Sequence, residues 1–164
     1  MKTHNLVKLS LLTAIALTVF VIETRIPNLI PIPGIKLGLA NIVTVWALYT
    51  CKPQETALML LARIALGAIF CGTALTFIYS ICGASLCLAV CIAAKKLIPA
   101  NKLWLTSIIG AIFHNIGQII AAALILSTSA IFVYVPVLML SAIITGLFCG
   151  VCAQFIYIRL QALH

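Results

Sequence analysis

Aspartate is missing from this 164-residue sequence, and its only acids are Glu23 and Glu55, far apart along the chain. Any chemistry that needs clustered carboxylates around Mg²⁺ is thereby excluded for the chain alone, because that ion takes hard oxygen ligands. Charge of either sign is scarce. Asp, Glu, Lys and Arg together make up 7% of the residues, against about 25% in an ordinary soluble domain. No phosphate-binding glycine loop of the P-loop type is present, so any use of ATP belongs to a partner. No basic run or nucleic-acid module occurs either, although the net charge is +8, so nucleic acid is not an expected partner. The seven cysteines include one C-x-x-C pair, Cys149 and Cys152. No second pair and no Cys/His set completes a metal site around it. Most of the cysteines lie in apolar runs, where Cys packs as a small hydrophobe.

What fills the chain is apolar: 65% of residues are hydrophobic, with a mean hydropathy of +1.30. Such a chain has no means of covering a water-facing surface, and lipid is the solvent that suits it. A crossing helix takes about 20 apolar residues, so the length allows five to seven crossings and no soluble domain besides. The expectation is an all-α membrane protein, one integral domain over 1–164. Its helices are expected at about 6–22, 35–50, 54–70, 73–94, 103–126 and 130–158, the last kinked at Pro136. The run over 6–22 follows Lys2 and Lys8 like a signal peptide, but Glu-Thr-Arg-Ile-Pro follows instead of a cleavage site, which predicts a retained first helix. The stretch over 54–94 is twice too long for one crossing and must reverse near 70–73. With six crossings, Lys2, Lys8, Lys52, Lys95, Lys96, Lys102 and Arg159 share the side of the termini. The positive-inside rule then puts both termini in the cytoplasm.

Polar residues left in such a chain are costly and therefore informative. A central Arg is disfavoured by about 2.5–3.5 kcal/mol on insertion scales, yet Arg63 falls in the middle third of the third helix. It snorkels to an interface, caps carbonyls of a neighbouring helix, or faces an internal cavity, paired with Glu23 or an anionic ligand. Between the first two helices lie Glu23, Arg25, three prolines, Lys36, Gly38 and Asn41. This segment is either an interfacial loop meeting lipid headgroups or an anion site, since helix N-termini with nearby cations attract anions. The fifth helix carries Gly110-Ala-Ile-Phe-His114-Asn115-Ile-Gly-Gln118. His114 and Gln118 share one face with Gly110 and Gly117, and that face serves interhelical hydrogen bonding or a pocket. Small residues recur every four positions at Ser10, Ala14 and Thr18, and again at Ala142, Gly146 and Gly150. Such stripes permit close packing within the bundle or docking of a second membrane protein.

These same segments carry a resemblance. The stretch 23–27, the run Pro33-Gly-Ile-Lys-Leu-Gly-Leu-Ala-Asn41, Arg63 and the run over 110–118 together resemble the bacterial family called heptaprenyl diphosphate synthase component I, or the Gx transporter family. That family looks related to the substrate-binding components of energy-coupling-factor vitamin transporters, six-helix proteins that bind a small molecule from outside. The resemblance implies docking on a coupling transmembrane protein, with ATP-binding subunits, through the stripe Ser10, Ala14, Thr18. It implies a multi-pass place in the bacterial cytoplasmic membrane, no cofactor, and a small anionic, isoprenoid or vitamin-like ligand. Candidate ligand-binding residues are Glu23, Arg25, Lys36, Gly38, Asn41, Arg63, His114, Asn115 and Gln118. The alternatives are an accessory membrane subunit of prenyl diphosphate synthesis, as the family label says, or a scaffold in a membrane redox assembly. Without an Asp-rich motif the chain is no prenyltransferase by itself.

Overall fold

The computed structural model describes residues 3–25, 38–71, 74–127 and 129–162. Six helices account for nearly all of them: α1 Thr3–Arg25, α2 Ala40–Thr50, α3 Pro53–Cys71, α4 Ala74–Leu97, α5 Leu103–Leu126 and α6 Val135–Gln161. Short 3-10 turns, Ala100–Lys102 and Ser129–Tyr134, precede α5 and α6. There is no strand among the described residues. Apart from α2, each helix is long and apolar enough to cross a membrane. Their outer faces expose residues such as Leu11, Ile15, Leu61, Ile69, Leu124, Leu140, Ile144 and Phe148. In water such a surface would aggregate, and against lipid tails it costs nothing.

Pro53 opens α3 and Glu55 lies in its first turn, where a missing N–H is harmless and a negative charge favourable. Lys95 and Lys96 close α4, and Arg159 lies in the last turn of α6. The kink expected at Pro136 is not what the proline makes. The chain takes the 3-10 turn first, and Pro136 stands in the opening turn of α6, where its missing N–H would have no partner within the helix anyway.

One end of the bundle gathers the N-termini of α1, α3 and α5 with the C-termini of α2, α4 and α6. Asn5 Nδ2 donates to Glu55 Oε1 at 3.0 Å, and Lys95 Nζ donates to the Leu48 carbonyl at 2.6 Å. Tyr49 Oη donates to the Ile98 carbonyl at 3.1 Å, and Gln154 Nε2 to that of Asn101 at 2.6 Å. The ammonium of Lys8 lies 5.7 Å from the Trp46 ring. Lys8, Lys52, Lys95, Lys96, Lys102 and Arg159 all belong to this end.

Helix α2 is the exception that shapes the interior. Its 11 residues span about 16 Å at 1.5 Å per residue, roughly half of a ~30 Å hydrocarbon core. Its C-terminus is tied to the basic end, so its N-terminus lies near mid-depth inside the bundle. The sequence-based expectation had this helix begin at 35; residues 35–37 lie outside the described residues, and Gly38 and Leu39 precede the first helical residue.

Glycines set how closely α4, α5 and α6 approach. A Cβ on Gly146 would lie 2.8 Å from the Ile108 Cα, one on Gly150 2.6 Å from the Trp104 Cα, and one on Gly117 2.8 Å from the Cys82 carbonyl oxygen. These neighbours are backbone, which has little freedom to yield. Gly150→Ala and Gly146→Ala are each expected to lower stability by about 1–3 kcal/mol, the usual range for overpacking. Thermal unfolding in detergent reads this directly, and an unchanged midpoint for both variants would show that α6 does not seat on α5 this way.

Candidate functional site

Near mid-depth, five helices each place a polar side chain. Arg63 is the eleventh of the 19 residues of α3, Cys87 the fourteenth of 24 in α4, His114 the twelfth of 24 in α5 and Cys149 the fifteenth of 27 in α6. Asn41 stands in the first turn of the half-length α2. Glu23 reaches the same region from the C-terminal end of α1.

Arg63 is 8% exposed, so it does not snorkel. Its guanidinium carbon lies 5.7 Å from the centroid of the Phe20 ring, a cation–π contact that desolvation strengthens. Gly67, one turn further along α3, makes room for that ring: a Cβ there would lie 2.9 Å from Phe20 Cε1. Glu23 is the carboxylate within electrostatic reach of Arg63, while Arg63 Nε is buried without a hydrogen-bond partner. A buried donor left unmatched costs about 1–3 kcal/mol.

Glu23 is 7% exposed, and its Oε1 accepts the N–H of Gly38. Gly38 has φ +69°, a left-handed conformation that glycine adopts without strain. The Gly38 carbonyl in turn accepts the Asn41 N–H at 2.8 Å and the Cys149 thiol at 3.3 Å. One glycine therefore joins α1, the start of α2 and the middle of α6. Beyond it, Asn41 lines a hollow of about 10 Å³ with Thr44, Cys87, Cys91, Ser107 and Gly110, space on the order of one water molecule. Cys87 has its sulfur 4.0 Å from that of Cys91 and lies within electrostatic reach of His114 and Arg63. Gly83 on α4 accommodates both His114 and Gln118; a Cβ there would lie 2.8 Å from Gln118 Cγ.

Of the sequence-predicted site residues, then, Glu23, Gly38, Asn41, Arg63 and His114 are brought around one interior region, with Gln118 about one turn beyond His114. Asn115 points elsewhere: its Nδ2 donates to the Leu138 carbonyl at 2.9 Å and ties α5 to α6. Arg25 is exposed at the end of α1. Lys36 lies outside the described residues. Ser10, Ala14 and Thr18 share an exposed face of α1, and Thr18 Oγ1 is bonded to the Ala14 carbonyl at 2.9 Å. Cys149 is buried and Cys152 half-buried. Sequence reasoning passed over Phe20, Gly67, Gly83 and Cys87. Gly67, four residues after Arg63, was the available signal for space beside the arginine; nothing in the sequence singled out Cys87 among the seven cysteines. Among the described residues no group of three or more His, Cys, Asp or Glu is placed to hold a metal ion.

A multi-pass helical bundle with a charged, glycine-jointed cluster at mid-depth is the class that fold and site define. The family model described as heptaprenyl diphosphate synthase component I matches residues 12–156, and the chain belongs to that family. Neither the curated proteins nor the solved structures give a match.

The arrangement separates tying residues from cluster residues. Asn115→Ala is expected to lower stability by about 0.5–1.5 kcal/mol, the net worth of a typical hydrogen bond, in the same unfolding assay. An unchanged unfolding midpoint for Asn115→Ala would contradict the tying role.

Proposed function

We propose that this chain is the ligand-binding membrane component of an assembly, taking the acidic head of a small amphiphile, isoprenoid or vitamin-like, at the mid-depth cluster. The observation that carries the reading is Arg63, more than nine-tenths buried at mid-depth with its Nε unmatched. Keeping a guanidinium there is costly in lipid, and ionisable residues inside a membrane bundle mark ligand or ion paths. The half-length α2 supports the same reading, because interrupted helices in membrane transport proteins aim their positive N-terminal ends at anionic groups near the midplane.

Orientation follows from the basic end, which the positive-inside rule assigns to the cytoplasm. Both termini then lie there, in a bacterial cytoplasmic membrane, and the ligand enters from the opposite side, where Arg25 lies. The words "component I" in the family description fit a chain that works with other subunits. The exposed face with Ser10, Ala14 and Thr18 is the place offered to a coupling membrane protein, and ATP-binding subunits would supply the energy this chain has no loop to harvest.

The family description also favours a second reading, in which the chain presents a prenyl diphosphate to a soluble, Asp-rich synthase. Both readings share an acidic head on Arg63 and differ in the partner: a coupling protein with ATP-binding subunits for the first, the soluble synthase for the second. Co-purification in mild detergent separates them.

Arg63→Gln is expected to weaken binding of farnesyl diphosphate to the purified chain by tenfold or more, since a hydrogen bond to a charged group is worth about 1.5–3 kcal/mol. Arg25→Gln should change it far less. Equal affinity of wild type and Arg63→Gln by titration calorimetry would remove the basis of the proposal.

A further inference from the structure

The start of α2 already holds an anion, and it comes from the chain itself. The side chain of Glu23 descends from α1, and its carboxylate takes the Gly38 N–H, two residues before the first helical residue. No side chain caps this helix at its N-cap position, Leu39. Helix N-termini left open by capping side chains attract negative groups. Arg63 lies within electrostatic reach of the same carboxylate. The carboxylate thus takes a backbone N–H within the field of a buried guanidinium, a combination that suits a ligand's acidic group.

We propose that Glu23 is an internal surrogate for the ligand: its carboxylate occupies the anion position, and an incoming phosphate or diphosphate displaces it. This rests on the reading that an acidic head binds at the cluster, and it adds how that site is kept closed and which chemical group opens it.

Three observations carry the exchange. First, Glu23 is buried with its carboxylate already seated on the Gly38 N–H, so a ligand head that takes this N–H must replace the carboxylate. Second, two anions on one set of donors repel strongly away from bulk water, which makes occupation by Glu23 and by the ligand mutually exclusive. Third, Gly38 has no side chain between its N–H and the space in front of it, and its φ of +69° keeps side-chain-bearing residues out. Arg63 Nε, unmatched while Glu23 is bound, is a donor that a phosphate with several oxygens can satisfy and the chain's own carboxylate leaves unsatisfied. The other acid, Glu55, is engaged at the far end with Asn5 and the Lys52 N–H. Glu23 is the sole acid of the sequence left for this part.

A surrogate and a ligand contact have opposite mutational signs. Glu23→Gln keeps the size of the side chain and removes its charge. The full chain in mild detergent is titrated with farnesyl diphosphate and, separately, with inorganic diphosphate. The expected result is binding of farnesyl diphosphate about tenfold tighter by Glu23→Gln than by wild type, within the range common for coupled sites. A gain with inorganic diphosphate as well assigns the exchange to the acidic head alone. Unchanged or weaker farnesyl diphosphate binding by a folded Glu23→Gln overturns the surrogate role while leaving the binding reading intact. No binding by either protein overturns the binding reading, and the surrogate with it. Should Glu23→Gln fail to fold, wild type carries the test: saturating farnesyl diphosphate must shift both the Gly38 ¹⁵N amide resonance and the Glu23 carboxyl ¹³C resonance. Resonances that stay in place overturn the proposal.

Discussion

The bundle is organised by the bond between the Glu23 carboxylate and the Gly38 N–H. A helix of only 11 residues leaves its polar start, half-buried at Gly38 and Leu39, part-way into the bundle. Each backbone group in that setting needs a partner from the protein. Glu23 answers one N–H, Cys149 and Asn41 share the Gly38 carbonyl, and the left-handed turn at Gly38 permits all three contacts at once. Arg63 and Glu23 are both buried, and the attraction between unlike charges within reach of one another offsets part of the cost of taking each out of water.

Much of the fold was legible because lipid imposes simple arithmetic. Apolar runs of crossing length and the break at Lys95 to Lys102 yield a six-helix bundle with few competing solutions. The reversal between α3 and α4 followed from length alone. Pro136 was misread because a proline near the start of an apolar run breaks a helix or opens one, and only the chain direction before it decides; here a 3-10 turn supplies that direction.

The candidate site was legible as a set of residue types and less so as a place. Glu23, Gly38, Asn41, Arg63 and His114 stood out because each is polar or conformationally special in apolar surroundings, and the fold brings them to one depth. Asn115 was indistinguishable from them by that criterion. Whether an amide on a helix faces a cavity or a neighbouring carbonyl depends on a rotation of one residue, and periodicity does not resolve the two when both faces of α5 are packed. Cys87 carried no signal, since its place in an apolar run is shared by most of the other cysteines. Phe20 likewise becomes meaningful only once Gly67 is seen to admit its ring beside Arg63.

The glycine seams have a mechanical consequence. Between α4, α5 and α6, glycines bring one helix directly onto the backbone of the next at Gly117, Gly146 and Gly150, a fit with almost no slack. Between α1 and α3 the comparable glycine, Gly67, meets only the rim of the Phe20 ring, which can swing about its own bonds. The seam between α4, α5 and α6 is therefore stiff, while the seam between α1 and α3 can yield by the rotation of one ring, and Glu23 and Arg63 stand on the two helices of that softer seam.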